Sequence, residues 1–208
     1  MEIDHCLFPD NLLYDVENNT WTRRRGETDV TIGITSILSG LAGKFISALF
    51  KQAGVELQRG RSLGTLESLR FVGPVPSPFS GTILETNPSA IKRPKLLNDS
   101  PYEEGWVVRL RPSSFLLEQA LLSGPSAARD ILHEKIRRLR VRCFKAYPDH
   151  EMFEIGVECA AVIVRLNELM ETSEKGVVVH VVSDDPTAYV EMERWVDQTK
   201  KELVDWRT

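Results

Sequence analysis

The sequence predicts an α+β protein of two domains, an all-β domain followed by a smaller domain of alternating strands and helices. Short apolar segments separated by Gly, Pro and Asn run through residues 7–110, a pattern typical of a β-barrel or a β-sandwich. Later the apolar spacing changes to strand, helix, strand and helix, which is typical of a small α/β two-layer sandwich. We therefore expect a first domain over residues 1–138 and a second over residues 139–208.

Length, charge and cysteine content narrow the functional classes. The chain has 208 residues, 42% hydrophobic and 27% charged, enough to bury a core in one large or two small domains. Its net charge of −4 gives no reason to expect nucleic acid as a partner. We expect neither a membrane span nor a signal peptide, because the apolar runs are short. Cys6, Cys143 and Cys159 are too few and too scattered for a disulfide framework, so a reducing cytoplasm is expected.

The first half is expected to hold short strands and one short helix. Thr35 or Ser36 is a suitable N-cap, and Gly43 is a suitable helix end, because glycine readily adopts the left-handed conformation. Three arginines followed by Gly26 predict a charged turn. The predicted strands cover residues 12–16, 20–22, 29–35, 44–49 and 106–110, and the predicted helix covers residues 37–41.

Residues 65–84 predict a β-hairpin whose tip falls near Arg70. Strand-like apolar residues flank a centre rich in proline and glycine. Pro74, Pro76 and Pro78 have no N–H to donate, so the returning strand begins irregularly or at a sheet edge. The tip is therefore expected to be exposed and rigid, which suits a residue that is presented to a partner.

The second half changes to helical spacing. Five of the ten residues 133–142 are Lys or Arg, which indicates either a solvated helix face or a surface for an acidic partner. Gly124 and Pro125 interrupt the first helical stretch. The predicted helices cover residues 116–122, 127–139, 159–170 and 186–204, and the predicted strands cover residues 142–147, 153–157 and 177–182.

Several short motifs resemble the H protein of the glycine cleavage system, a lipoyl-carrier fold. The most specific is residues 98–106, where Asn-Asp-Ser-Pro-Tyr-Glu-Glu-Gly-Trp matches the family pattern Asn-Asp-x-Pro-Tyr-x-x-Gly-Trp. The resemblance covers residues 1–138 and implies a barrel-sandwich hybrid of the lipoyl and biotinyl carrier type with short helices. The opening run looks closer to H-protein-like carriers of sulfur-oxidising pathways. The other matching segments are residues 30–35, Glu67 with Ser68, residues 77–81 with Pro78 and Gly81, and residues 8–18.

In that family the hairpin carries Glu-Ser-x-Lys, and lipoate is attached to the lysine as an amide. The same register in this chain gives Glu67, Ser68 and then Arg70 at the lipoyl-lysine-equivalent position. A guanidinium stays protonated and cannot serve as the acylated amine, whereas a lysine can. We therefore expect no lipoate and no other cofactor. Arg70 is either a lost attachment point on a domain kept for its shape, or a cation that pairs with an anionic group of a partner.

Residues from about 150 to 204 resemble the TusA-type sulfur carriers. The resemblance rests on Cys159 at a predicted helix start, on Gly176 and on residues 181–186. In that family a Cys-Pro-x-Pro cysteine at a helix N-terminus carries a persulfide, and the helix dipole with its free N–H groups lowers the pKa of such a thiol. Both prolines and two family strands are missing here. Cys159 is therefore a candidate persulfide carrier or a small buried hydrophobe.

No paired acid and base, nucleotide loop or metal-ligand set is present in the sequence, so we expect a carrier or accessory protein and not an enzyme. The sequence predicts a non-lipoylated H-protein-like accessory or sulfur-carrier protein in the trafficking or oxidation of sulfur compounds. Its expected partners are enzymes that use lipoylated or sulfur carriers. Two alternatives stay open, an aminomethyl carrier of glycine cleavage and a purely structural scaffold.

Overall fold

The computed structural model describes residues 1–208, which form two compact units, Met1–Phe144 and Lys145–Thr208. The first unit extends beyond the expected boundary at residue 138 because Val141 and Cys143 are buried in its core. Both units combine strands and helices, which confirms the predicted mixed class. The barrel-sandwich hybrid and the two-layer sandwich stay predictions. None of the helices is both long and apolar enough to cross a bilayer.

Antiparallel strands form the frame of the first unit. They build a six-stranded sheet in the order β3-β4-β5-β11-β10-β7, a three-stranded sheet in the order β6-β8-β9, and the hairpin β1-β2. The strands are β1 (Glu2–Ile3), β2 (Cys6–Leu7), β3 (Leu13–Asp15), β4 (Thr20–Arg25), β5 (Asp29–Ile34), β6 (Phe45–Phe50), β7 (Glu56–Leu57), β8 (Ser62–Ser68), β9 (Val72–Pro76), β10 (Gly81–Thr86) and β11 (Trp106–Pro112).

The first unit contains two apolar clusters, one on each face of β5. Ile32 and Ile34 join the larger cluster, to which the three-stranded sheet also contributes through Leu66. Trp21 belongs to the second cluster and packs directly on Gly33, where an added Cβ would lie 2.4 Å from the indole ring. The sequence of β5 alternates, so Val30, Ile32 and Ile34 lie on one face and Thr31 and Gly33 on the other, and both faces are buried from Val30 to Ile34.

Five short or medium helices accompany these sheets. The predicted helix is confirmed as α1, with Thr35 as its N-cap and Gly43 as its end at φ +84°. A helix after Asn87 was not predicted, although its signal is present in the sequence. The Asn87 Oδ1 accepts hydrogen bonds from the N–H groups of Ser89 and Ala90, and Pro88 occupies the first turn. The helices are α1 (Ser36–Ala42), α2 (Pro88–Lys92), α3 (Leu96–Asp99), α4 (Phe115–Gln119) and α5 (Pro125–Leu139).

Two predictions about local structure in the first unit are wrong. Arg23 to Arg25 continue β4 instead of forming a turn, because Arg23 binds Glu103 through both guanidinium nitrogens and lies over the Trp21 ring at 5.5 Å. The turn begins at Gly26, where φ is +59°. Residues 142–147 form no strand, since Cys143 is bonded to Cys6 and no partner strand lies beside them.

The cysteine prediction is also wrong, because Cys6 and Cys143 form a disulfide. Both residues are buried in the second apolar cluster of the first unit. Their separation of 137 positions gives no spacing pattern that the sequence could reveal. Cys159 is the free cysteine.

The second unit follows the predicted order of strand, helix, strand and helix. Its elements are β12 (His150–Glu154), α6 (Cys159–Thr172), β13 (Val179–Ser183) and α7 (Ala188–Thr199), and the two strands pair in parallel. Leu166, Met192 and Trp195 form its core. β12 begins earlier than predicted, and the last helix stops short of residue 204 because Lys200 adopts a left-handed conformation at φ +58°.

Candidate functional site

The hairpin of β8 and β9 places Arg70 in its turn. Leu66 pairs with Gly73, and Glu67 pairs with Val72. The Ser68 N–H then donates to the Phe71 carbonyl oxygen at 2.8 Å, which closes the turn. Arg70 therefore lies at the point where the hairpin reverses direction.

Ser68 fixes this turn to the end of α1. Its side chain is buried, and its Oγ donates to the Ala42 carbonyl oxygen at 2.5 Å. The same Oγ accepts a hydrogen bond from the Arg70 N–H at 3.2 Å. One hydroxyl group thus satisfies a terminal helix carbonyl and a turn amide, which holds the hairpin tip rigidly.

The Arg70 side chain folds back onto Gly43 instead of extending from the hairpin. A Cβ added to Gly43 would lie 2.7 Å from the Arg70 Nε, so the guanidinium lies directly against the Gly43 backbone. Gly43 follows the C-terminus of α1, where the last carbonyl groups of the helix carry partial negative charge and favour a cation. Leu69, which is 94% exposed, is the tip residue that points into solvent.

Asn98 connects the most specific motif to this tip. Its Oδ1 accepts a hydrogen bond from the Phe45 N–H at 2.9 Å. Its Nδ2 donates to the Ser39 Oγ and to the Gly43 carbonyl oxygen, both at 2.9 Å. The asparagine is buried, so these bonds fix the end of α1, the start of β6 and the peptide on which Arg70 rests. The motif was found from the sequence, but this role of Asn98 was not.

The outer face of the three-stranded sheet around Glu67 is unusually apolar. Glu67 is exposed on this face beside Ser47 and Val72, its neighbours on β6 and β9. Large apolar side chains on this sheet and at its tip are exposed by half or more: Ile46, Leu49, Leu69 and Val72. Exposed apolar clusters of this kind are typical of surfaces that bind protein partners.

The returning strand β9 ends at Pro76, before the predicted end of the hairpin at residue 84: Pro78 lies in the connection that follows, and Gly81 is the first residue of β10 in the six-stranded sheet. The Pro78 carbonyl oxygen accepts a hydrogen bond from the Arg59 Nε at 3.2 Å. Gly81 approaches β11 so closely that an added Cβ would lie 2.1 Å from the Arg111 carbonyl oxygen. This close approach gives Gly81 a structural reason to be glycine, independent of any group carried at the tip.

None of the nearby lysines lies in the hairpin turn. Lys44 follows Gly43 at the start of β6, and Lys51 follows the end of the same strand. Lys95 binds Asp99 at 2.7 Å, and Lys92 ends α2. The turn itself offers no primary amine.

Cys159 occupies the first position of α6, but its surroundings oppose thiolate formation. Its backbone N–H donates to the Asp185 Oδ2 at 2.9 Å, so a carboxylate of the chain already occupies this helix N-terminus. Burial, and then the negative charges of Asp185 and Glu191, raise the pKa of the Cys159 thiol. This direction is opposite to the lowering that the resemblance implied for a cysteine at a helix start.

The basic segment, residues 133–142, combines one anchored lysine with several exposed arginines. The Lys135 Nζ donates to the carbonyl oxygens of Val16 and Glu17 at 2.5 and 2.9 Å. Partial burial, and then the charge of Arg138, lower the pKa of Lys135. The exposed arginines are Arg137, Arg138, Arg140 and Arg142. No group of three or more His, Cys, Asp and Glu side chains is placed to hold a metal ion.

Comparison with known proteins identifies the class to which this fold and hairpin belong. Residues 12–134 match the model of the glycine cleavage H-protein family. The probable glycine cleavage system H protein 2 of Sulfurisphaera tokodaii is 36% identical over 143 residues, which cover 68% of this chain and 96% of that protein. Glycine cleavage system H protein 2 of Aquifex aeolicus is 36% identical over 139 residues, which cover 66% of this chain and 86% of that protein.

A crystal structure of a glycine cleavage system H protein from Mycobacterium marinum aligns with a TM-score of 0.48 and 27% identity, covering 51% of this chain and 87% of that one. The family match and the relatives show that the chain belongs to the glycine cleavage H-protein family. The second unit, Lys145–Thr208, lies outside the matched residues.

Proposed function

We propose that this chain is an H-protein-fold docking protein that carries no lipoyl arm and engages enzymes that bind H proteins. The observation that supports this proposal is Arg70, which occupies the hairpin turn and folds onto Gly43. An arginine offers no neutral amine for amide formation, so the usual route to a carried group is absent at this position. The rigid tip and the exposed apolar sheet face remain available for docking.

The proposal assigns the contact to apolar and cationic groups of the tip. Leu69 and Val72 are exposed by 94% and 70%, and Arg70 lies between them in the chain. An apolar pocket edged by carboxylates would match this arrangement, because a guanidinium forms paired hydrogen bonds with carboxylates. Arg70 thereby keeps a role as a cation for an anionic partner group, which is one of the two alternatives for this residue.

A competition experiment tests the docking. A lipoylated H protein is bound to the aminomethyl-transferring enzyme of glycine cleavage, and this chain is added as competitor. We expect wild type to compete, Leu69→Asp to compete at least about tenfold less well, and Leu116→Asp to compete like wild type. Leu116 is a matched control because it is also a strongly exposed leucine, at 82%, but lies on α4. If the wild-type chain does not compete, the proposed docking is contradicted.

An aminomethyl carrier of glycine cleavage is the second candidate, and the names of the relatives support it more directly than a sulfur role. This function needs a lipoyl group, so it needs an acylated lysine outside the hairpin turn. A stoichiometric lipoyl adduct on the wild-type chain would favour this candidate over the docking protein.

A sulfur-carrier role through Cys159 and a scaffold role are further proposals. The raised pKa of Cys159 and its carboxylate neighbour weigh against persulfide carriage. A persulfide assay on wild type and Cys159→Ser separates the two roles. Equal signals from both proteins would remove Cys159 as a sulfur carrier. A cytoplasmic location stays a proposal. The buried disulfide weighs against it, because disulfides persist in compartments that are less reducing than the cytoplasm.

A further inference from the structure

The strand β13 lies at an edge of its sheet but has the sequence of a central strand. It pairs with β12 on one side, and no strand lies on its other side. Five of the six residues 177–182 are valine, and this segment contains no Asp, Glu, Lys, Arg or Pro. Edge strands of soluble proteins usually carry charges, a proline or a bulge that prevents pairing with another chain. We propose that β13 pairs antiparallel with β13 of a second copy of this chain, so that the protein dimerises through this edge.

The pairing with β12 decides which backbone groups of β13 reach the open edge. His150 pairs with Val179, and the His150 N–H donates to the Val178 carbonyl oxygen at 3.2 Å. In a parallel pair, the backbone groups of successive residues point to opposite sides of the strand. Those of Val178 therefore point to β12, and those of Val179 and Val181 point away from it. No hydrogen bond within the chain uses these outward N–H and C=O groups, so they are available to a further strand.

Charge distinguishes this edge from the other edge of the same sheet. The five residues of β12 include Glu151 and Glu154. Two copies that met along β12 would bring carboxylates close together, and like charges on paired strands are destabilising. β13 carries no carboxylate, ammonium or guanidinium group. The edge of β13 is therefore the one along which two copies can meet without repulsion.

The strand is self-complementary in an antiparallel register. A two-fold axis at Val181 places this residue opposite its own copy and places Val179 opposite Ser183. All three residues direct their backbone groups to the open edge, so each facing pair can exchange two hydrogen bonds. The same surface then serves both chains, as it does in any two-fold dimer. This symmetry favours a second copy of the chain as the occupant of the edge.

The core of the second unit also leaves β13 incompletely covered. Val179 and Val181 pack against a core formed by Leu166, Met192 and Trp195, but every residue of β13 is only half-buried. Sheets of two strands are marginally stable without further support. The two-stranded sheets of two copies would join into one four-stranded sheet in the order β12-β13-β13-β12. β13 then becomes a central strand, which is the position that its almost continuous apolar sequence indicates.

Sedimentation velocity of the full chain at rising concentrations tests the proposal. Wild type should change from a species of one chain to a species of two chains. Val181→Pro removes an outward N–H but leaves the hydrogen bonds to β12 in place, so its dimerisation should be weaker by at least about tenfold. Val181→Ala is the matched control, because it also loses the valine side chain but keeps the N–H. This variant should still dimerise.

Hydrogen exchange of wild type supplies a second test, which does not depend on a folded variant. The peptide that contains residues 177–183 should exchange about tenfold more slowly at concentrations where the dimer predominates, because the outward amides gain acceptors. The peptide that contains α4, in the first unit, should exchange equally at all concentrations. A wild-type chain that stays monomeric, equal dimerisation of Val181→Pro and wild type, or exchange of residues 177–183 that is independent of concentration would overturn the proposal.

Discussion

Asn98→Ala is expected to loosen the peptide on which the hairpin tip rests. The substitution removes hydrogen bonds to the Phe45 N–H, the Ser39 Oγ and the Gly43 carbonyl oxygen. At about 1 kcal/mol for each bond, the loss is about 3 kcal/mol, and the site is buried, so water does not replace the lost partners freely. A loss of this size corresponds to roughly a hundredfold change in an equilibrium constant.

Hydrogen exchange followed by mass spectrometry measures this effect locally. The peptide that contains Phe45 should exchange about a hundredfold faster in Asn98→Ala than in wild type, because its amide loses its acceptor and the opening free energy falls. Asn11→Ala is the matched control, since Asn11 is exposed and its truncation should change exchange very little. An acceleration below about threefold at Phe45 would refute the assignment of Asn98 as the support of the tip.

Two further predictions concern the tip and the second unit. Gly43→Ala should destabilise the first unit by about 1–3 kcal/mol in urea unfolding, because φ is +84° and the new Cβ would lie 2.7 Å from the Arg70 Nε. In the double variant with Arg70→Ala, only the steric part of the lost unfolding free energy should be recovered. Full recovery of the wild-type stability would contradict a strained backbone at residue 43. Asp185→Asn should lower the pKa of Cys159, since a negative charge that disfavours the thiolate is removed. Iodoacetamide should then modify Cys159 faster near neutral pH, and an unchanged pH profile would contradict the electrostatic explanation.

The strands of the first unit could largely be predicted because their sequence signals are local. The prolines and glycines after residue 70 indicated the hairpin, and β8 and β9 form it. Thr35 and Gly43 indicated both ends of α1. In contrast, Arg23 depends on Glu103, which lies 80 positions away, so a turn was predicted where β4 continues. Tertiary contacts decide such segments, and local propensity does not.

The site shows the same division between local and distant information. The register of the hairpin gave the position of Arg70, but its contact with Gly43 depends on how α1 packs beside the turn. The position of Cys159 at a helix start was also predicted from local spacing. Burial of this thiol, and then the carboxylate of Asp185, which reaches it from 26 positions away, raise its pKa. The pairing of Cys6 with Cys143 has no local signal at all.

Intact mass spectrometry after coexpression with a lipoate ligase tests the central claim most directly. The wild-type chain should keep its unmodified mass, because Arg70 cannot be acylated. Arg70→Lys should gain one lipoyl group, since Glu67, Ser68 and the turn already have the register of a lipoyl hairpin. A stoichiometric lipoyl adduct on wild type would contradict the claim and would identify the chain as a group carrier.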